Sequence, residues 1–317
     1  MPDYEIFGGA LHSELVFPEL PSLSNRPDGI RADWSLRRVV ELPAVASVEF
    51  LGEDEVDGEI SVRLYRHERG YRLEYDDTGS FDVSADGRTV SWLAPAAASE
   101  EHARLDVIGR VLALALHTAN FLPLHGSAVA YPVGGIAFLA PKLYGKSTLA
   151  MASVNAGARF LSDDIVVTRS GSPAVIRPGV LHVRLWQDSA QQLTGRPSIE
   201  GEKTVIAELP SDRLANQELP LSAIYVLAPV ASESRAEACR RTRLAPLSAA
   251  LALVRHAKLG ALLGRSAAEL LLERAALLSG DVPVYTLEVV RDFARLPEVT
   301  SQLASWHAGV DASDRAG

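Results

Sequence analysis

Residues 138–150 read FLAPKLYGKSTLA, and the class of fold turns on that stretch. Against the phosphate-loop pattern G-x-x-x-x-G-K-[ST] it matches at Gly145, Lys146 and Ser147, with Ala140 where the first glycine would stand. The chemistry behind the pattern is demanding. Successive backbone N–H groups wrap a polyphosphate, and the following helix aims its positive end at the same anion. Lys146 would neutralise the β and γ phosphates of ATP, and the Ser147 hydroxyl would ligate Mg²⁺. Ala140, Lys142, Tyr144, Gly145 and Thr148 complete the expected nucleotide-binding stretch. Ala140 is small enough for a turn but cannot take positive φ cheaply, and Pro141 and Leu143 are unusual in such a loop. The setting supports the match. The apolar run 135–139 predicts a strand, and 146–156 predicts a helix closed by Gly157.

Downstream of Leu124, strand-like and helical segments alternate, which predicts an α/β domain. Further strands are expected at 159–161, 165–168, 223–227 and 282–289, and helices near 246–263, 266–278 and 296–306. No internal repeat is visible. Upstream the pattern changes. Ile60, Val62 and Leu64 alternate with polar neighbours, as do Tyr71, Leu73 and Tyr75, then Phe81 and Val83, then Val90 and Trp92. Turn signals at 68–70, 76–79 and 86–87 separate these runs and predict an antiparallel meander. A helix follows, capped by Ser99 with Glu100 and Glu101 in its first turn. Leu105, Ile108, Leu112 and Leu116 share its apolar face, and it runs to about Asn120, with Pro123 closing it. The expected organisation is a β-rich N-terminal domain over 1–97, an α/β catalytic domain over 98–309 and a flexible tail over 310–317.

Composition narrows the function classes. The 317 residues are 47% hydrophobic and 22% charged, an ordinary globular balance. Lys and Arg number 31 against 40 Asp and Glu, a net charge of −9, which argues against general nucleic-acid binding. A single cysteine, Cys239, excludes an internal disulfide framework and any multi-cysteine metal site. MPDYEIFGG lacks the basic and apolar regions of a secretory signal. The most apolar stretch, 107–124, is broken by Arg110, His117 and Pro123, so no membrane partner is expected. The sequence reads as a cytoplasmic protein, with homo-oligomerisation left open.

Two further elements carry chemistry. Asp163 and Asp164 follow the strand at 159–161, 17 residues after Lys146, which leaves room for one short helix and one return strand. Adjacent acids at a strand end repel unless a cation or proton sits between them. One could hold Mg²⁺ while the other takes a proton from an attacking hydroxyl. Upstream, His125-Gly126 lies in LPLHGSAVA, 21 residues before Lys146. The other seven histidines are scattered without ligand spacing, and no HExxH zinc motif is present.

In order and spacing, LHG, a strand, a loop ending in GKS, a short helix and a double Asp resemble the catalytic domains of HPr kinase/phosphorylases. The resemblance is specific over about 120–190. It implies the phosphoenolpyruvate-carboxykinase-like class of P-loop fold, with ATP and Mg²⁺ as cofactors. YEIFGGALHSELVFPEL, PGVLHVRLW and VPVYTLEVVRD look like a divergent branch beside ribosomal-peptide clusters, among them serine kinases that tailor lasso peptides. Gly145, Lys146 and Ser147 match the family's phosphate loop, Asp163 and Asp164 its paired catalytic and metal acids, and His125 its motif histidine near the phosphates. The glycine-rich signature tied to reverse phosphorolysis is not visible, so the resemblance implies a kinase without the reverse activity.

Arg184 in HVRLW and Lys203 in GEKTV are the expected cations closing over the phosphates. Trp186 is expected in the core. The resulting expectation is transfer of the γ-phosphoryl of ATP to a Ser or Thr hydroxyl of a peptide or small protein, a lasso-type precursor being the narrower case. Asp163 is the expected base, Asp164 and Ser147 the expected metal ligands. Two rivals remain: a nucleotide-binding regulatory module without turnover, and a kinase for a small metabolite such as free serine.

Overall fold

The period-two alternation seen upstream does build a sheet. The computed structural model describes residues 1–23, 32–56, 60–195, 204–206, 209–231 and 237–309. It is a mixed α/β structure that divides into two compact units, Met1–Pro123 with Ala257–Ala275, and Leu124–His256 with Ala276–Gly317.

In the first unit, β1 (Asp3–Ile6), β2 (Gly9–Ser13), β3 (Trp34–Arg38), β4 (Glu49–Val56), β5 (Ile60–His67), β6 (Gly70–Tyr75), β7 (Gly79–Ser84) and β8 (Thr89–Leu93) form one sheet. Its order is β1-β2-β3-β8-β7-β6-β5-β4. The β5-to-β8 part is the expected meander, and β4 extends it antiparallel to β5, whereas β3 pairs in parallel with both β2 and β8. Val62, Leu64, Leu73, Tyr75, Phe81, Val83, Val90 and Trp92 are all buried, so alternation placed one face correctly. Phe81 and Trp92 are cross-strand partners with stacked rings, 5.7 Å between centroids.

The helical segment after the sheet begins as expected, with Ser99 Oγ accepting from His102 N. It runs as α1 (Glu100–Asp106), a π turn (Val107–Val111) and α2 (Leu112–Thr118). The π turn is the physical reason the expected apolar face fails at its start. A wider turn rotates what precedes it, so Leu105 is 51% exposed while Leu112 and Leu116 are buried. The compact units also divide elsewhere than the expected 97/98 boundary. The segment belongs with the sheet: Thr78 Oγ1 donates to Asp106 Oδ2 at 2.6 Å, and Ala103, Val107 and Val111–Leu116 are buried. The expected tail over 310–317 lies outside the described residues.

Asp106 makes a pH test of this packing. Burial raises its carboxyl to about 7, the Thr78 hydrogen bond and the Arg110 and His102 charges pulling back and Asp77 adding to the rise. Between about pH 4 and 7 the folded unit therefore keeps a proton that the unfolded chain releases. Stability falls as pH rises through that window and levels off above it. Asp106→Asn keeps an acceptor for Thr78 and removes the titration. It is expected to leave stability near wild type below pH 4 and to raise it at pH 8 by on the order of 2–4 kcal/mol, read by thermal unfolding across pH.

The second unit contains the alternating segments. Its main sheet comprises β9 (Leu122–Tyr131), β10 (Gly134–Leu139), β12 (Ile165–Arg169), β13 (Val175–Arg177), β16 (Leu219–Val230), β17 (Cys239–Arg243) and β18 (Val284–Val290), with β11 (Arg159–Ser162) paired to β9. β10, β16 and β18 run parallel to one another. A separate two-stranded ribbon joins β14 (Val183–Leu185) and β15 (Thr204–Ile206). The helices are α3 (Lys146–Asn155), α4 (Gln187–Thr194), α5 (Pro246–Arg255), α6 (Arg265–Asp281) and α7 (Leu296–Trp306), α6 starting in the first unit. Ile136, Phe138, Phe160, Tyr225 and Leu287 from the strands pack with Leu149, Met151 and Val154 of α3 and Val299 and Leu303 of α7. Each such large apolar side chain contributes roughly 1.5–3 kcal/mol by leaving water. This core fixes the carboxyl end of β10 and the start of α3, where ligands of parallel strands are generally held.

Candidate active site

β10 ends at Leu139 and α3 begins at Lys146, so the loop between them is six residues long. Gly145 is the N-cap residue of α3 at φ +84°, a conformation that glycine adopts without steric cost. No side chain caps the helix there. A helix start without a side-chain cap presents its first N–H groups to an incoming anion. The strain sits elsewhere than expected. Ala140 is buried and shows no positive φ; the left-handed residue is Leu143, at φ +69° and 62% exposed. An L-residue held there costs roughly 1–2 kcal/mol. Leu143→Gly is therefore expected to raise thermal stability, with ATP affinity equal or tighter. A large loss of ATP affinity in calorimetry would show instead that the leucine side chain shapes the loop.

Lys146 is buried, and its Nζ donates to the carbonyls of Ala140 and Pro141 at 2.9 Å each. The lysine thus ties the loop to its own first turn. Tyr144 is 47% exposed on the loop, and Lys142 is exposed beside it. Thr148 Oγ1 lies 2.8 Å from Ser189 Oγ, joining α3 to α4.

The two aspartates separate. Asp163 is 6% exposed; its Oδ1 accepts from Ser147 Oγ at 2.8 Å and Ser127 Oγ at 2.5 Å, and its Oδ2 accepts from the Arg184 backbone N–H at 3.1 Å. Asp164 adopts φ +67°, inside a tight turn in which Ile165 N–H donates to the Asp163 carbonyl at 2.9 Å. Its side chain is 54% exposed, with Oδ1 3.2 Å from His125 Nδ1. Ser147 thus contacts Asp163 rather than Asp164, the acid expected to share the metal with it. Neighbours along an extended chain face opposite ways, and the left-handed turn carries Asp164 toward His125 instead.

His125 is held by its backbone as well, its N–H donating to the His256 carbonyl at 2.6 Å. Gly126 must be glycine, because a Cβ there would stand 2.6 Å from the Phe138 carbonyl oxygen. Burial, reinforced by the charges of His125, Lys146 and Arg255, lowers the His256 imidazole to about 4, so it is neutral at neutral pH. Arg184 reaches the site by its backbone, and its residue in β14 is exposed. Lys203 lies outside the described residues. Trp186, expected in the core, is 41% exposed before the first turn of α4.

The structure thus gathers Lys146, Ser147, Asp163, Asp164 and His125 into one site. It adds Ser127 and His256, which carry no motif. Nothing in the sequence singles out Ser127 within its strand, and the position of His256 is set by tertiary packing alone.

The fit of a divalent cation can be judged from the donors. Asp163 and Ser147 offer hard oxygen atoms in contact with each other, which suits Mg²⁺. Among the described residues no cluster of three or more His, Cys, Asp or Glu is arranged to hold a metal. Mg²⁺ is commonly held by one or two carboxylates, its shell completed by water and phosphate. Among the described residues, no helix is long and apolar enough to cross a membrane.

No family model matches the sequence, and no curated protein matches it. Among solved structures the chain is similar to the Hpr(Ser) kinase/phosphatase from Coxiella burnetii, at 14% identity over 58% of this chain and 95% of that one, with a TM-score of 0.29. A likeness so distant leaves the function to be reasoned from the site.

Proposed function

We propose that the protein is an ATP-dependent, Mg²⁺-requiring phosphotransferase of the HPr-kinase-like type, built on a phosphoenolpyruvate-carboxykinase-like P-loop domain. Its acceptor is a Ser or Thr hydroxyl on a peptide or small protein, a lasso-type ribosomal peptide being the narrowest form of the proposal. The observation that carries the reading is the contact of Ser147 with a buried carboxylate at the mouth of a glycine-capped helix. Phosphoryl transfer needs little covalent chemistry from a protein; positioning and charge do most of the work.

The start of α3 and the Lys146 ammonium hold the phosphates. Ser147 and Asp163 would hold Mg²⁺, which when bound neutralises charge on the β- and γ-phosphate oxygens. The acceptor hydroxyl oxygen forms a bond to the γ phosphorus while the bond from that phosphorus to the β–γ bridging oxygen breaks, and ADP leaves. The hydroxyl proton passes to the Asp164 carboxylate, with His125 beside it to orient that group and share its charge. This exchanges the roles expected from sequence order. Support comes from exposure, since a base must reach an incoming substrate and the Asp164 side chain is 54% exposed, whereas Asp163 is buried and already accepts from three donors.

ADP release measured with Mg²⁺ and pools of Ser- and Thr-containing peptides tests the reading. Turnover is expected to depend on Mg²⁺ and to vanish when the hydroxyl residues of the responding pool are replaced by alanine. ATP binding with no turnover on any hydroxyl acceptor would leave the non-catalytic module instead.

A further inference from the structure

We infer that Ser127 is a positioning residue, its buried hydroxyl fixing the Asp163 carboxylate in the orientation required of a metal ligand. The inference rests on the phosphotransferase reading above and deepens it.

Ser127 faces Phe138 in the β9–β10 register and is fully buried. On the other side of β9, β11 pairs regularly at Arg159 and Phe160 and then slips, so that Ser162 stands opposite Ala128. That irregularity carries the end of β11 toward Ser127, and Asp163 arrives with Oδ1 2.5 Å from the Ser127 hydroxyl. The irregular register therefore sits where a carboxylate has to be aimed.

The acceptor count gives the contact its meaning. An ionised carboxylate has about four lone-pair positions. In Asp163 three are taken, by Ser127 and Ser147 on one oxygen and the Arg184 N–H on the other. Three donors from three separate segments fix both the rotamer and the plane of the group, and one position is left for a cation. Ser147 is itself placed to touch that cation, and Arg184 holds from the ribbon strand. Ser127 is the donor that comes from the sheet, buried away from the phosphates. A hydrogen bond to a charged group is also stronger than one to a backbone carbonyl, so the serine spends its single proton on orientation.

The test uses the full chain, with Mn²⁺ reporting for Mg²⁺ and the non-hydrolysable AMP-PCP as nucleotide. Electron paramagnetic resonance of free Mn²⁺ gives the metal affinity, and calorimetry in EDTA gives that of the nucleotide alone. Ser127→Ala is expected to weaken Mn²⁺ retention by about 10–100-fold, the usual weight of a group that orients a ligand, with nucleotide affinity in EDTA unchanged. In an Asp163→Asn background the same change should add no further loss, because the serine acts through that carboxylate. Ser127→Cys keeps the volume and weakens the hydrogen bond, so it should shift metal affinity in the same direction and serves if the alanine variant does not fold. Wild-type Mn²⁺ affinity in a folded Ser127 variant, or an equal added loss in the Asp163→Asn background, overturns the inference alone. Failure of the wild-type chain to bind Mn²⁺ with AMP-PCP overturns the phosphotransferase reading along with it.

Discussion

Replacing Lys146 with alanine is expected to lower ATP-dependent turnover by about 10²–10³-fold, the cost of losing one preorganised charge aimed at the transferring group. The fold should survive. The buried face of α3 beyond Lys146 includes Leu149, Ala150, Met151, Ala152, Ser153 and Val154, which the substitution leaves in place, and the Lys146 ammonium bonds the carbonyls of Ala140 and Pro141 in its own loop. Loss of those two charge-assisted bonds costs at most about 1.5–3 kcal/mol each, offset in part because an ammonium is no longer buried, against roughly 5–15 kcal/mol for a domain. ATP with Mg²⁺ should raise the melting temperature of the wild type and leave that of the variant nearly unchanged. An unaltered rate would remove the loop from the mechanism.

The two aspartates are expected to fail in different ways. Asp164→Asn keeps the size of the side chain but cannot accept the hydroxyl proton, so kcat should fall by about 10²-fold or more while ATP binding and the Mg²⁺ requirement stay near wild type. Asp163→Asn keeps the size of the side chain and can still be satisfied, its oxygen accepting from the Arg184 N–H and its N–H₂ donating to the Ser127 and Ser147 hydroxyl oxygens, which accept as well as donate. What it loses is the negative charge offered to the metal. The Mg²⁺ concentration for half-maximal rate should rise by about ten-fold or more. Steady-state kinetics of both variants against Mg²⁺ separate the roles. A preserved Mg²⁺ requirement with a collapsed kcat in Asp163→Asn would return the proton to Asp163.

Much of the candidate site was legible because the loop at 140–145 and the two aspartates lie close along the chain. The strand, loop and helix at 134–155, the return strand at 159–162 and the acids after it fall where periodicity and glycine put them. The last helix falls at Leu296–Trp306, within the expected bounds. What escaped depends on single backbone angles or on distant packing. No pattern distinguishes Leu143 from Ala140 as the residue held at positive φ, since neither favours it. The turn at Asp164 decides which acid meets Ser147, and it is one residue long. The π turn at Val107–Val111 displaced Leu105 from a face that 3.6-residue periodicity had assigned to the core. His256 reaches His125 from 131 residues away through a backbone hydrogen bond, which leaves no trace in local sequence.

On the proposed reading, the loop ending at Gly145, with Lys146, Ser147 and Asp163, is a magnesium–nucleotide site. Equilibrium calorimetry of ATP binding to the wild-type chain, with Mg²⁺ and with EDTA at matched ionic strength, tests it most directly. Saturable binding at one site per chain is expected, tightened about ten-fold or more by Mg²⁺ and lost in Lys146→Ala. Absence of saturable binding at millimolar ATP, or binding that ignores both the metal and Lys146, would contradict it.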